Sequence, residues 1–245
     1  TIARYIVDQR SIGLRQIVVI ALLTALPVGL ILAQPDLGSA SVLIATTIVL
    51  VLTTRISKRA LGAIMATLFL VMGFGLTQLA PYQRQRIEVF INPSIDPAGI
   101  GYNITQSKIA IGSGGVSGRG IGQGSQSQLQ FLPVAHTDFI FAVTAEATGF
   151  VGSVVLLILM ATIIVRAYSI ALVSQDSFGL YCALGVATLF LYQTFINIGG
   201  NVGLVPVTGI PLPLVSSGGT TTIVSLASIG LLQSIYLRHK KIRFT

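Results

Sequence analysis

His136, Asp138 and Glu146 stand within one apolar stretch, Phe131 to Gly149 (FLPVAHTDFIFAVTAEATG), of a chain in which only 9% of residues are charged. A carboxylate at a membrane boundary is costly to keep ionised, so its presence points to a functional site. With the segment helical from Thr137 onward, Asp138, Ala142, Glu146 and Gly149 share one face at i, i+4, i+8 and i+11. Phe139, Ile140, Phe141 and Val143 then spread over the rest as a bulky, lipid-facing surface. Eight residues at about 1.5 Å rise put Asp138 and Glu146 roughly 12 Å apart along the axis. A shared-proton pair, or a glycosidase-like acid and base, needs about 5–10 Å. Asp138, at the helix mouth, is therefore the candidate for proton-transfer chemistry. Glu146, two turns deeper, suits structural support or the lining of a pathway. His136 leads into the helix and points away from its neighbour Asp138.

The elements that must hold these residues lie in a membrane. The 245 residues are 53% hydrophobic, with mean hydropathy +0.86 and formal net charge +8. A soluble domain has about 25% charged residues, so the composition describes an integral membrane protein and excludes a nucleic-acid binder. Cys182 is the only cysteine, and His136 and His239 are the only histidines. An intrachain disulfide and a Cys- or His-rich metal site are thereby excluded. The chain opens on a basic segment, Arg4 to Arg15, with no initiator Met, and reads as the later part of a longer protein.

Six apolar runs follow: Ile17 to Ala33 with Pro27 inside, Ala40 to Leu52, Ala60 to Leu79, Phe139 to Val165, Phe178 to Ile198, and Thr220 to Leu237. Runs of about 17–25 residues suit helices crossing a core of about 30 Å. Lipid tolerates only helices or closed barrels, so the expected fold is an all-α polytopic membrane domain over residues 1–245. A mostly polar, Gly-rich stretch over 80–137 reads as a long loop within it. With the N-terminus in the cytoplasm, eleven of the fifteen Lys and Arg residues fall on the cytoplasmic side, ending with Arg238, Lys240, Lys241 and Arg243. That is the orientation the positive-inside rule prefers. It places Asp36, Glu88, Asp96 and Asp138, with Arg84, Arg86, Lys108 and Arg119, on the outer side.

Four stretches could build a site there. In Gln34-Pro35-Asp36-Leu37-Gly38 the backbone must break, and Asp36 either faces an outer cavity or caps the next helix. Arg84 and Arg86 can fork onto an anionic group such as a pyrophosphate, or form a solvated pair balanced by Glu88. Gln106 to Gly124 (QSKIAIGSGGVSGRGIGQG) lacks the context of a nucleotide-binding loop. It reads as a re-entrant or interfacial loop carrying Lys108 and Arg119, the alternative being a mobile surface loop. Asn197 to Gly219, with Pro206, Pro211, Pro213 and several glycines, is expected to forbid a regular helix and to wall the cavity. Ser216, Ser217 and Thr220 would offer neutral hydrogen bonds from it.

Taken together, these strings resemble the SEDS family (shape, elongation, division and sporulation), the RodA/FtsW/SpoVE group of bacterial cell-wall proteins. The matching pieces are QPDLG at 34–38, a YQ-R-F-NP-DP-G-GY pattern over 82–102 and QS-IAIGSGG across 106–115. HTDFIFAV-AE ending at 146, NIG at 197–199 and P-TGIPLPLVS-GG at 206–219 complete the set, in family order. The run QSQLQFLP before HTDF is more similar to the elongation branch than to the division branch.

The resemblance implies the C-terminal part of a ten-helix fold, with the four N-terminal helices missing. It implies a peptidoglycan glycosyltransferase that polymerises lipid II at the outer face of the bacterial cytoplasmic membrane. The implied partners are a class B penicillin-binding transpeptidase and other membrane proteins of the elongation complex. Asp138 matches the family's essential carboxylate, expected as the general base. Asp36, Arg84, Arg86, Lys108, Arg119, His136, Glu146 and Ser216 are the candidates for substrate binding. No cofactor is implied; the leaving pyrophosphate needs basic side chains or a divalent cation. A flippase of lipid-linked precursors and a non-catalytic scaffold are the alternatives. Val134 and Ala147 stand where the family has acids, and Ser39 and Ser217 where it has Thr and Tyr.

Overall fold

A computed structural model describes residues 1–9, 11–66, 81–128, 131–132 and 136–238. The chain is helical: α1 Ile2–Val7, α2 Leu14–Ala33, α3 Leu37–Leu52, α4 Pro81–Ile91, α5 Ile100–Ser113, α6 Ile140–Val173, α7 Ser177–Val202 and α8 Gly219–Leu237. Residues 58–66 are also helical; the remainder of the expected third span, with Arg10, Val134, His239, Lys240, Lys241 and Arg243, lies outside the described residues. Among the described residues the only strand-like pairing is one bridge, Ile12 to Ile56. Helices α2, α6, α7 and α8 are each long and apolar enough to cross a membrane, and α3 is a shorter apolar helix of 16 residues. The protein is an all-α polytopic membrane protein.

Three expected boundaries move. α6 runs on through Arg166 to Val173, because the YSIALV sequence beyond that arginine still suits a helix. α7 continues through Gly199 and Gly200 to Val202, so the irregular segment begins only at Gly203. The stretch expected as a loop over 80–137 is largely helical in its described part. It holds α4, a short 3₁₀ turn Pro93–Ile95, α5 and one helical turn at Ser125–Gln128. Asx turns explain the punctuation: Asn92 Oδ1 accepts from the Ser94 amide and Asp96 Oδ2 from the Ile100 amide at the head of α5.

The expected single domain packs as two compact units. The first comprises Thr1–Leu79, Val165–Leu189 and Ile229–Thr245. Its core joins Ile6, Ile12, Ile20, Leu50 and Val51 to Leu184 and Leu232, with Ala167, Ala171, Ala183 and Ala187 buried among them. Those alanines recur every four residues on α6 and α7. Without side-chain bulk, the backbones can approach closely, which drives helix association where lipid removes the hydrophobic advantage.

Asp36 also belongs to the first unit. It is the N-cap of α3, its Oδ1 accepting from the Ser39 amide at 3.0 Å. Of the two sequence readings, the capping one describes this side chain. Asp36→Ala is expected to lower stability by about 1 kcal/mol, read as a fall in the melting temperature of the full-length protein in detergent.

The second unit comprises Ala80–Ile164 and Phe190–Ser228. Its core includes Ala110, Leu132, Phe139 and Ala142. Phe139 and Phe141, expected to face lipid, are 3% and 5% exposed. Phe139 belongs to the turn that precedes α6 and packs in this core, while Phe141 is buried in the first turn of the helix.

Candidate active site

Asp138 lies not in α6 but in the turn 136–139 that leads to it. The helical stripe inferred from the sequence therefore begins at Ala142. Three consecutive carbonyls of this turn are held by the segment 197–217. Ser217 donates to the His136 carbonyl through both its amide and its Oγ, each at 2.8 Å. Ser216 Oγ donates to the Thr137 carbonyl at 2.8 Å. The Asp138 carbonyl accepts from Asn197 Nδ2 at 3.1 Å and Asn201 Nδ2 at 2.8 Å.

Asn201 does more than hold Asp138. Its Oδ1 accepts from the Ala142 amide at 3.1 Å, satisfying one of the free donors in the first turn of α6. Its own carbonyl accepts from Ser107 Oγ at 2.9 Å, which ties in α5. Asn201 is 1% exposed and Asn197 4%. Buried amides in an apolar helix must find partners, and this pair, one turn apart on α7, finds them on the turn that holds Asp138 and the start of α6. Sequence reading took NIGGN as the start of a broken segment and missed both residues. The signal was available: two amides at i and i+4 in an apolar helix.

The Asp138 carboxyl has its pKa raised, mainly by burial. A hydrogen bond with Thr137 and the positive charge of Arg86 oppose this without cancelling it. Arg86, half-buried on α4, is thus the basic side chain whose field reaches the carboxylate. The carboxylate lies against Gly209, where a Cβ would come 3.7 Å from Oδ2. It also borders a small recess of about 10 Å³, lined by Asn197, Gly200, Asn201, Thr208 and Ile210 among others.

The other candidates fall into two groups. Arg84 forms an exposed i,i+4 pair with Glu88 at 3.0 Å, so the solvated-pair reading describes it and leaves Arg86 to face the site. Lys108 is exposed on α5, its side chain crossing the backbone of Gly203. Arg119 is exposed, and its Nε donates to the Ser113 carbonyl at the end of α5. Ser216 is 4% exposed and committed on both sides, accepting from the Leu212 amide and donating to Thr137. His136 is exposed and contributes its carbonyl. Ser216 through its hydroxyl and His136 through its carbonyl thus help to fix the turn.

Glu146 is fully buried, and its Oε1 accepts from the Gln126 amide at 2.9 Å. It braces the 120s segment and does not line the recess. Glu146→Gln keeps that acceptor and is expected to fold normally. Glu146→Ala leaves a cavity and a stranded amide, and is expected to cost about 2–4 kcal/mol, seen as lost yield and lower melting temperature in detergent.

The glycine-rich segment is docked, not mobile. α6 is broken at Gly149, whose φ of 68° and ψ of −163° are non-helical. In an unbroken helix, Phe150 and Val151 would donate to Glu146 and Ala147. Instead they donate to the carbonyls of Gly115 and Val116, at 2.8 and 3.2 Å. The orphaned carbonyls of Glu146 and Ala147 accept from the amides of Arg119 and Gly120, each at 3.0 Å. Residues 115–120 are thus spliced into the helix, replacing two of its hydrogen bonds with four.

Among the described residues no group of three or more His, Cys, Asp or Glu gathers.

The fold and site define a polytopic helical membrane protein whose half-buried carboxylate is locked at a helix mouth by an irregular segment between two spans. The chain belongs to the FtsW/RodA/SpoVE family of cell cycle proteins, whose family model matches residues 1–241. It is 43% identical over 218 residues to the peptidoglycan glycosyltransferase MrdB of Escherichia coli (strain K12), covering 88% of this chain and 58% of that protein. The chain therefore spans little more than half of that relative. A chain of a peptidoglycan synthase complex that coordinates polymerization and crosslinking superposes with a TM-score of 0.78 at 31% identity, covering 98% of this chain and 67% of that one. The rod shape determining protein RodA of Thermus thermophilus superposes with a TM-score of 0.61 at 27% identity, covering 98% and 62%.

Proposed function

We propose that this chain carries the catalytic centre of a peptidoglycan glycosyltransferase. It polymerises lipid II at the outer face of the bacterial cytoplasmic membrane, for wall elongation and cell shape. Asp138 is the observation that carries this reading. A general base works best with a pKa lifted toward the operating pH, and burial lifts this one. The carboxylate takes the proton of the acceptor 4-hydroxyl as that oxygen attacks the anomeric carbon of the donor. The carbon inverts, and undecaprenyl pyrophosphate departs.

The leaving group is a stabilised anion that needs positive charge, not a proton donor. Arg86, in reach of Asp138, supplies it. One base and one cation are a sufficient set, and the absence of a second carboxylate from the recess agrees with this. A relative named peptidoglycan glycosyltransferase and the likeness to a synthase complex support the same reading. The synthase complex, which coordinates polymerization and crosslinking, also supports a class B penicillin-binding transpeptidase as partner; other membrane proteins of the elongation complex are partners that the family resemblance implies. The placement of Asp138 on the outer side rests on the distribution of Lys and Arg.

Glu146, which would suit a transporter if it lined a path, is buried whole. That favours the enzyme. The test gives labelled lipid II to the full-length protein purified with its transpeptidase, and resolves glycan chains on a gel. Polymer from wild type and none from folded Asp138→Asn is expected. Polymer from both would remove Asp138 from the chemistry, and lipid II crossing liposomes without polymer would move the reading to transport.

A further inference from the structure

Two of the residues that line the recess beside Asp138, Asn197 and Thr208, each carry a buried side-chain oxygen that meets no protein donor or acceptor, Oδ1 and Oγ1. Asn197 is 4% exposed, and its amide nitrogen is already given to the carbonyls of Asp138 and Ile210, at 3.1 and 2.8 Å. Those two bonds fix which end of the amide is which, so Oδ1 is an acceptor turned away from them. Thr208 Oγ1 is equally shut from bulk solvent. A buried oxygen without a hydrogen bond costs about 1–3 kcal/mol, and two beside one recess are not there by accident of packing.

The size of the recess selects the occupant. About 10 Å³ admits one water-sized body and no sugar ring. A bound water needs two to four polar partners, and the lining offers an amide acceptor, a hydroxyl and a carboxylate. We propose that the recess is a site for one ordered water, bound by Asn197, Thr208 and the Asp138 carboxylate, which positions and tunes the catalytic base. This rests on the glycosyltransferase reading above. Donating one hydrogen to Asn197 Oδ1 and the other to the carboxylate, and accepting from Thr208 Oγ1, the water makes three hydrogen bonds, within the two to four that a buried water needs.

Asn197 and Thr208 are then positioning residues acting through the water. A hydrogen bond given to a carboxylate favours its charged form, and Arg86 and Thr137 act in the same sense from outside the recess. Loss of the water therefore raises the pKa of the base further and moves the acid limb of the rate–pH profile upward. The plateau at higher pH stays, because the base is ionised there either way.

The experiment uses the full-length protein in its synthase complex, with initial polymerisation rates followed across pH. Thr208→Val keeps the shape and deletes the hydroxyl. The expected result is a rate about tenfold lower on the acid limb with the plateau retained, the size of one charge-assisted hydrogen bond. Thr208→Ser restores the wild-type limb. A high-resolution structure of the wild type shows one density peak within hydrogen-bond distance of the three oxygens, lost in Thr208→Val. An unmoved limb in Thr208→Val, or a dry recess in the wild type, overturns the proposal. A fully active Asp138→Asn, run alongside, would instead remove Asp138 from the chemistry, and a wild type that makes no polymer would overturn the glycosyltransferase reading beneath it.

Discussion

Asp138→Asn in the full-length protein is expected to lower polymerisation by about 10²–10⁴-fold and to raise, not lower, the melting temperature. The two effects share one cause. The carboxyl is half-buried, and burial holds its pKa above the unfolded value. Such a group contributes its stability fully below the unfolded value, where it is protonated in both states. That contribution is lost as pH rises through the folded value. Wherever the carboxylate is ionised, the folded protein therefore keeps the charge in a place that disfavours it. Asn has the same shape, has no charge to desolvate, and leaves the bonds from Asn197 and Asn201 to the backbone carbonyl in place.

The same linkage sets the pH dependence of the wild type. Acidification toward the raised pKa should stabilise the site through this group while removing the base that activity needs. Activity and thermal stability, followed on one preparation across mildly acidic pH, should move in opposite directions, and Asp138→Asn should flatten the part of the stability curve due to this group. A variant that melts below wild type would mean the carboxylate makes a bond more valuable than its desolvation costs. The site would then be a structural ion site rather than a poised base. The trade of stability for function is what a catalytic group kept away from water is expected to display.

Much of this was legible in the residues alone. A charge in an apolar stretch is conspicuous, so Asp138 could be singled out, and the apolar runs marked the spans. Asp36 could be read as a cap because capping is local, decided within three residues. What escaped was non-local. The orientation of Phe139 and Phe141 depends on a turn held by serines about eighty residues onward, through Ser216 and Ser217. Arg84 and Arg86 look alike in sequence, and what separates them is the effect of the half-buried Arg86 on Asp138, distant in the chain, while the exposed Arg84 pairs with Glu88. Asn197 and Asn201 look like part of a glycine-rich break until their partners on the 136–142 segment are known. Glycine density in 112–124 told of unusual backbone but not of its use, since the use lies some thirty residues on, at the break of α6 at Gly149.

That break leads to the largest expected loss of stability outside the site. Gly118 and Gly149 face each other across the splice, with φ of 79° and 68°. A Cβ on Gly118 would overlap the Ala147 carbonyl, and one on Gly149 would overlap the Gly118 amide and the Val116 carbonyl. Both obstacles are backbone held by the splice itself, so neither can swing aside as a flexible side chain would. Left-handed backbone adds about 1 kcal/mol and overpacking about 1–3 more, and the four replacement hydrogen bonds are lost as the segments part. Gly118→Ala and Gly149→Ala should each destabilise by about 3–5 kcal/mol, with poor yield and a melting temperature lower by roughly 10 °C in detergent. Gly112→Ala is the matched comparison: it lies in α5, a Cβ there meets nothing within 4 Å, and it should be neutral or slightly stabilising. Equal behaviour of all three would mean that residues 115–120 merely lie beside α6. Loss in the first two alone would make the splice what holds α6 together at its break, about three turns past Asp138.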